Sequence, residues 1–499
     1  MQKGIKLFGL ALTLAFQVNT ALAETAEVKN SPSPQTLTLE QALRVAEQQS
    51  PTMRKVTLSR ERSRQTLNAQ KAATKAHFSL NLDPLQYSNN LNFDDRYSSW
   101  YSYEYLSSSG SLSISQPIVA TNTTLTLSNV FGWQQSFSDY MGTAASDQSF
   151  VNDLYISLRQ PLFTYNAQKM TIKQLELDVE QSNISYALAK LTQEQYVSSL
   201  FYSVYMSQLQ LDIAGEELKN TQQSRNIVAD KVKEGMMANV ELYQADLNLA
   251  TARSTIKNRQ VSLENALIRF KQFVGMDLDT PILVLASIES NDTLQIDLSK
   301  AVKRGLDARM ELRQRKIDVE YQQFNLTQVK EYNDLDGSIA LSLGLKGNNG
   351  ALQRVYDKPS KSPSIGISFS VPLYDWGERK ARIKAQEASL RSSQIDLETE
   401  RIGIRVEIEE IVRNIENFRS QIDIERQNQR NAELAYDISM EKYTNGDLTS
   451  MDLNLYQSQL SNRRIALVQA KINFKQALLS LKVATLFDLE QQQPVVALK

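Results

Sequence analysis

Few side chains in this sequence can perform enzyme chemistry. The 499 residues include one histidine, His77, and no cysteine, which excludes disulfides, cysteine-based zinc sites, a cysteine nucleophile and a histidine-rich metal cage. Four acids of the first half are close enough in sequence to suggest an acid pair, but their setting favours solvated loops: Asp83, Asp94, Asp95 and Glu104. His77, where a predicted helix gives way to a strand, is interpreted as structural. We therefore predict no enzymatic activity, no metal site and no cofactor.

The composition predicts a helical protein without a nucleic-acid partner. The chain has 55 Lys and Arg against 56 Asp and Glu, a formal charge of −1, whereas nucleic-acid binding requires a strong basic excess. Only 17 Gly and 11 Pro are present, and these are the residues that most often interrupt secondary structure. Long uninterrupted helices are therefore expected.

The first 23 residues have the pattern of a secretory signal peptide. Lys3 and Lys6 precede an apolar run from Leu7 to Val18, and Ala21-Leu22-Ala23 places small residues at a cleavage position. The run is too short to cross a bilayer, and no later segment has the roughly 20 apolar residues of a transmembrane helix. We expect cleavage after residue 23 and export. If the mature chain enters another membrane, a β-barrel is the remaining means.

An internal repeat organises the rest of the chain. Matching residues lie 211 positions apart in one unbroken register, as in the pairs Pro161/Pro372, Lys231/Lys442, Gly235/Gly446, Leu242/Leu453 and Leu249/Leu460. Upstream matches such as Leu39/Leu298 are 259 apart, so the first half carries 48 extra residues between Ser79 and Pro161. We divide the chain into a first repeat (24–275), a linker (276–297), a second repeat (298–487) and a tail (488–499).

Each repeat contains a long helix that turns back on itself. No proline occurs between Pro161 and Pro281 or between Pro372 and Pro494, and apolar residues recur at helical spacing. From Ile383 to Phe418 they recur every seven residues, which is typical of supercoiled helices, either in a soluble coiled coil or against partner helices. Gly235 and Gly446 are predicted to end the long helices and form the hairpin turns.

The helix lengths predict how the pieces stack. From Tyr165 to Glu234 the helix would be about 105 Å long, but its return arm, Met236 to Val274, would reach only about 58 Å. Helices predicted at Thr38 to Thr74 and Leu298 to Lys330 are each about 50 Å. Stacking a short helix end to end on a return arm would restore the full length.

The segments at about 79–163 and 338–374 predict strands instead. Their residues alternate between polar and apolar, as in Ser111 to Ser115 and Ser338 to Leu343. Aromatic residues are about three times as frequent from Phe78 to Phe163 as elsewhere, and no Lys occurs between Lys75 and Lys169. This pattern favours a transmembrane barrel over a β-sandwich. The 79–161 segment has room for four strands of about 10 residues, with outward loops at Phe93 to Ser98 and Ser138 to Asp153.

The order of these segments resembles the TolC-like outer-membrane efflux protein family. Strands ending in Gln160-Pro161-Leu162-Phe163 and Val371-Pro372-Leu373-Tyr374 lead into a very long helix, a Gly turn and a return helix, and the whole unit is repeated. The local signature is Tyr443-x-x-Gly446 with Asp452-Leu453 and Gln459-Leu460 downstream. The resemblance covers essentially all of the mature chain.

The resemblance implies an α+β membrane protein that works as a homotrimer. Three tandem-repeat chains would form one outer-membrane β-barrel, in contact with outer-membrane lipid, continued by a long periplasmic coiled-coil barrel of helices. It further implies an exit duct that takes substrates from an inner-membrane transporter and a periplasmic adaptor protein, in efflux or type I secretion. The alternative is a periplasmic coiled-coil adaptor or scaffold without a pore.

Two departures from the family pattern affect these expectations. The 48 extra residues would enlarge the barrel from 12 to 18 strands or project outside the membrane. At the periplasmic end the family commonly has a basic residue and an acid where this chain has Leu448 and Leu455, so a gate held by those polar links is not expected.

Glu241 and Asp452 occupy equivalent positions six residues after the turn glycines. One interpretation is helix capping, which contributes roughly 0.3 to 1 kcal/mol near a helix N-terminus. The other is a ring of six acids that makes a trimeric aperture cation-selective. By resemblance, Tyr443 and Glu241 would form the polar part of the closure, with apolar contacts at Leu448 and Leu455.

Overall fold

The computed structural model describes residues 35–96, 98–140, 143–288, 296–332, 334–488 and 493–495. The predicted signal peptide, 1–23, lies outside the described residues, as do parts of the predicted linker and tail. The described helices are α1 Leu39–Gln49, α2 Pro51–Ala73, α3 Ala167–Lys233, α4 Asn239–Val274, α5 Leu298–Ala308, α6 Met310–Lys330, α7 Glu378–Asn445 and α8 Ser450–Thr485.

The helix lengths match the sequence repeat. Helices α3 and α7 contain 67 and 68 residues. Their return arms α4 and α8 contain 36 residues each, and α1 and α5 contain 11 each. The long helices end next to the two glycines that were predicted to terminate them. Gly446 has a left-handed backbone (φ +91°), which glycine adopts without a steric penalty.

Two predicted helices are each divided in two. The prediction of one helix from Thr38 to Thr74 was wrong, since α1 ends before Ser50 and α2 begins at Pro51. Proline is favoured at the first position of a helix, whereas a proline in the interior of a helix disrupts it. The helix predicted from Leu298 to Lys330 is broken at Arg309, which has an extended backbone (φ −61°, ψ 121°) and ion pairs with Glu311 and Glu407.

The short helices extend the return arms, as their lengths predicted. A Cβ atom on Gly275, at the end of α4, would collide with the carbonyl oxygen of Gln49, at the end of α1. At the equivalent place in the second repeat, Gly305 of α5 lies against Ile408 of α7 and the carbonyl of Ala484 in α8. Helices α2 and α6 then continue alongside α3 and α7.

The strands form one antiparallel sheet and small pairings beside it. The described strands are β1 Gln35–Leu37, β2 His77–Asp94, β3 Ser99–Ile118, β4 Thr123–Tyr140, β5 Thr143–Leu162, β6 Ile282–Val284, β7 Asp336–Asn349, β8 Ser360–Ser370, β9 Phe487–Asp488 and β10 Gln493–Pro494. The six-stranded sheet has the order β2-β3-β4-β5-β7-β8. The first repeat therefore contributes four of these strands and the second repeat two.

The strands of the first repeat are longer than predicted. Strands β2 to β5 have 18 to 20 residues each rather than about 10. The loop predicted from Ser138 to Asp153 was also wrong, because Tyr140 pairs with Thr143 and the ladder runs on without interruption to Thr124 and Arg159. Hydrogen bonds between the paired strands satisfy backbone N–H and C=O groups of residues 138–140 and 143–153. The strands therefore continue beyond their apolar residues.

Buried apolar residues form separate clusters along the helices. In α7, a row of isoleucines seven residues apart, Ile408, Ile415 and Ile422, is at most 4% exposed and forms a packing seam. The predicted row from Ile383 to Phe418 is only partly buried apart from Ile404. Another cluster surrounds the parallel pair β1 and β6, which joins the start of the described chain to the predicted linker. The described part of the predicted linker that includes β6, residues 276–288, is therefore part of a packed unit and not only a connection.

Candidate functional site: the helical tip and the two-faced sheet

The end of the helices farthest from the sheet carries the predicted aperture residues. Both helical hairpins turn there, at Gly235 (φ +78°) and Gly446. Their side chains share one buried cluster that contains Val228, Tyr443 and Leu453. The two repeats of one chain are thus packed together at this tip.

Tyr443 is the most buried of the predicted aperture residues, with 1% of its surface exposed. Its hydroxyl accepts a hydrogen bond from Ser224 Oγ (2.7 Å) and donates to the Ser224 carbonyl (3.4 Å). Burial raises the pKa of Tyr443, the Glu241 carboxylate adds to this, and the bond from Ser224 opposes it. Because its one hydroxyl hydrogen is used within the chain, a bond from Tyr443 to Glu241 would require the Ser224 contact to break.

Glu241 and Asp452 have different partners despite their equivalent positions. Asp452 Oδ2 accepts a hydrogen bond from Thr449 Oγ1 (2.7 Å), and Thr449 Oγ1 accepts one from the Asp452 amide (3.2 Å), so Asp452 belongs to the cap of α8. Glu241 Oε2 instead accepts a bond from Ser450 Oγ at 3.3 Å. Glu241 therefore joins the start of α4 to the start of α8.

The two leucines at the tip also differ. Leu448 is half-buried and packs on the cluster around Tyr443. Leu455 is 55% exposed. Apolar residues at the start of α4 are exposed too, Val240 by 69% and Tyr243 by 66%. Leu455 thus has apolar surface free for contact with another chain.

Sequence reasoning missed three polar contacts at the tip. Ser224 holds Tyr443, Lys231 Nζ donates to the Thr444 carbonyl at 3.5 Å, and Arg225 pairs with Asp246 at 2.8 Å. The sequence identifies Lys231 only as the repeat match of Lys442. Its contact, like that of Ser224, joins α3 to α7 across more than 200 residues, and no local spacing indicates such a partner.

If the tip is the predicted aperture, replacing Tyr443 with Phe is expected to favour its open state. The change removes a buried hydrogen bond between the two hairpins, worth about 1 kcal/mol per chain, which is roughly a fivefold shift in a two-state equilibrium. Single-channel recording should show a higher open probability. Tyr436→Phe is the matched control, because the Tyr436 hydroxyl bonds to Asn220 farther from the turns. If the two variants have the same open probability, Tyr443 does not contribute to closing the tip.

At the opposite end, the six-stranded sheet has one apolar and one polar face. Cross-strand pairs such as Leu127/Ile156 and Leu341/Ile365 lie on one face, and Ser113/Ser128 and Ser342/Ser364 lie on the other. The apolar face carries, among others, Phe78, Leu80, Leu82, Leu112, Ile114, Leu125, Leu127, Phe131, Leu154, Ile156, Leu158, Ile339, Leu341, Leu343, Leu345, Ile365, Ile367 and Phe369. Such alternation separates two environments of different polarity.

The turn between β3 and β4 lies at the helical end of this sheet. Asn166 caps α3 by accepting from the Lys169 amide (2.9 Å), and its Nδ2 donates to the carbonyl of Val119 in the turn. Gln116 Nε2 donates to the carbonyl of Thr74, just after α2. The turn is therefore attached to the helices on both sides.

A family description matches both repeats. The model for outer membrane efflux proteins matches residues 120–276 and 333–485, more than half of the chain. The chain belongs to the outer membrane efflux protein family. This membership places the protein in the outer membrane, with its helical part in the periplasm. Each matched stretch contains two strands of the sheet, one long helix and its return arm, and strands β2 and β3 lie outside the match.

Individual members of the family are similar at low identity. Protein CyaE of Bordetella pertussis is 20% identical over 258 residues, which are 50% of this chain and 53% of CyaE, so the alignment spans about half of that relative. Outer membrane efflux protein BepC of Brucella suis is 23% identical over 66% of this chain and 71% of BepC. The CmeC outer membrane channel of Campylobacter jejuni shares the fold, with a TM-score of 0.68, 14% identity and coverage of 90% of this chain and 85% of CmeC.

No helix among the described residues of this family member has both the length and the apolar character needed to cross a membrane.

Proposed function

We propose that this protein is the outer-membrane exit duct of a tripartite efflux or type I secretion system. It would receive substrates from an inner-membrane transporter and a periplasmic adaptor and release them outside the cell. The observation that carries this proposal is the direct continuation of a two-faced sheet into helical hairpins. Helix α3, with 67 residues, is about 100 Å long, a length suited to bridging a periplasmic space.

The edges of the sheet support assembly into a homotrimer. Strand β2 pairs only with β3, and β8 only with β7, within the described residues. Unpaired strand edges are costly in lipid. All neighbours in the sheet are antiparallel, so β2 and β8 run in opposite directions and β8 of one copy can pair antiparallel with β2 of the next. Three copies would close an 18-stranded barrel, about half as wide again as one of 12 strands.

The position of the β3–β4 turn tests the 18-stranded barrel. A protease site inserted after Asn122 is expected to be cut only when the outer membrane is permeabilised, because this turn lies beside the start of α3. An equivalent site after Gly350, in the turn at the opposite end of the sheet, should be cut in intact cells. Cutting of the Asn122 site in intact cells would show that the extra strands do not span the membrane.

The main experiment is conductance of the purified protein in planar bilayers. A duct should give single-channel currents and should remain in membranes washed with alkaline carbonate. A periplasmic adaptor or scaffold would give no current and would be washed off. The apolar sheet face favours the duct, because an adaptor without a barrel would expose that face to water.

We further propose that the helical tip is the periplasmic aperture, with Gly235 and Gly446 as its turns. Tyr443 and Leu448 would hold the two hairpins of each chain together, and Leu455 would contact the neighbouring copy. Glu241 and Asp452, repeated three times, would set its charge. Rings of carboxylates favour cations in narrow pores.

A further inference from the structure

We propose that the turn between β7 and β8 binds the phosphate groups of a phosphorylated glycolipid in the outer leaflet of the membrane. This inference rests on the proposed placement of the sheet in the membrane. The turn, residues 350–359, lies at the end of the sheet away from the helices, which are periplasmic. It is therefore at the outer surface.

The basic residues of the sheet are concentrated at this turn. From β2 to β5 the chain has no Lys and only two Arg, whereas the short β7–β8 segment contains Lys346, Arg354, Lys358 and Lys361. The turn itself has one acid, Asp357. Among the described residues, no ion pair joins Arg354, Lys358 or Lys361 to a carboxylate. These three exposed cations are thus available to an anionic ligand.

Lys361 stands where the apolar band ends. On the apolar face β7 carries residues from Gly337 to Leu345, nine positions, which is the length that a tilted membrane strand needs. Lys361 is the cross-strand partner of Leu345, and it is exposed. It is therefore the first charge on this face at the level of the lipid headgroups, where Lys and Arg interact with lipid phosphates.

The turn folds back over the same apolar face. Gly347 follows Leu345 on that face, and a Cβ atom there would collide with the carbonyl oxygen of Val355, which is itself 3% exposed. Hydrogen bonds from the Arg354 amide to the Ala351 carbonyl (3.0 Å) and from the Asp357 amide to the Arg354 carbonyl (3.0 Å) fix the turn. The backbone at Val355, one residue after Arg354, thus lies over the apolar face of the sheet, and Lys358 precedes Lys361 by three residues.

Two exposed apolar residues support a lipid ligand over a free anion. Leu352 and Tyr356 are each 53% exposed on the same turn. Aromatic and apolar side chains beside basic ones are typical of the boundary between acyl chains and headgroups. A site that bound only free phosphate would not need apolar side chains beside its basic ones.

Lys346 provides a matched control within the same hairpin. It lies on the polar face of the sheet, and its cross-strand partner on β5 is Asp153. Its replacement changes the charge of the hairpin by the same amount as replacement of Lys361. It does so on the face turned away from lipid.

The test is lipid retention by the assembled protein, measured by native mass spectrometry in detergent. Wild-type protein and the variants Arg354→Gln/Lys358→Gln/Lys361→Gln, Lys361→Gln and Lys346→Gln are titrated with bis-phosphorylated lipid A, monophosphoryl lipid A, phosphatidylethanolamine or inorganic phosphate. We expect wild type and Lys346→Gln to bind bis-phosphorylated lipid A at least tenfold more tightly than phosphatidylethanolamine. The triple variant should lose this preference, and Lys361→Gln should lose part of it.

Three results would overturn the inference: equal binding of lipid A by the triple variant and wild type, no preference of wild type for phosphorylated lipid, or full competition by inorganic phosphate. Bilayer conductance separates this inference from the proposed function. Loss of lipid A binding with normal conductance supports the lipid site alone, whereas a wild-type protein that binds lipid A without conducting would contradict only the duct.

Discussion

Neutralising both tip acids, in the variant Glu241→Gln/Asp452→Asn, is expected to remove most of the cation selectivity of the channel. In the proposed trimer the two residues would place six carboxylates at the proposed aperture, and charges in a narrow, weakly screened pore dominate ion selectivity. Gln and Asn keep the oxygen atoms that accept from Ser450 and Thr449, so the helix starts should persist. The reversal potential in a KCl gradient measures the change.

The control for this variant is Glu387→Gln/Glu398→Gln, which removes the same charge from exposed positions of α7 far from the turns. It should leave the reversal potential near the wild-type value. If the tip variant keeps its cation selectivity while its thermal stability falls, both acids are only helix caps and contacts within the chain. The assignment of the aperture to this tip would then be abandoned.

Replacing Gly275 with Ala is expected to be among the most destabilising single changes in the chain. Gly275 has φ +85°, a conformation that costs an L-residue about 1 to 2 kcal/mol. The new Cβ would also collide with the carbonyl oxygen of Gln49, beside the fully buried Ala46 and Val274. Forcing this junction apart adds about 1 to 3 kcal/mol. The midpoint of helix loss by circular dichroism in detergent is the measurement.

Gly235→Ala separates the two contributions. Gly235 has a similar φ of +78° but no atom within 4 Å of the added Cβ, so its variant should show the backbone cost alone. Equal losses of stability in the two variants would mean that the junction between α4 and α1 yields freely. The end-to-end stacking would then contribute little to the fold.

The helices could be predicted because their signals are local. The spacing of apolar residues from Ile383 to Phe418 and the glycines at 235 and 446 each require only a short stretch of chain to be recognised. Helical hydrogen bonds join residues four apart, so the same stretch determines the structure. Pro51 shows the limit of that reasoning. Proline is favoured at the first position of a helix, as it is in α2, but the residues on either side of Pro51 predict one continuous helix.

The strand segments were predictable in kind but not in extent. Alternation identified the two-faced strands, and the apolar positions set the predicted length of about 10 residues. The actual lengths of 18 to 20 residues come from pairing between β2, β3, β4 and β5. The polar residues beyond the apolar band are held in strands by hydrogen bonds to the backbone of neighbouring strands. The sequence of one strand does not show these hydrogen bonds.

The sequence by itself determined that the chain is a duplicated, exported protein of long helices and amphipathic strands, and its motifs indicated the family to which it belongs. Only the tertiary structure decided whether residues at equivalent positions of the two repeats make the same contacts. Glu241 and Asp452 match in the repeat, yet one joins two hairpins and the other caps its own helix. The reason is that capping uses neighbours three residues away, whereas the Glu241 and Tyr443 contacts join residues more than 200 positions apart. Their geometry exists only once both repeats have packed together.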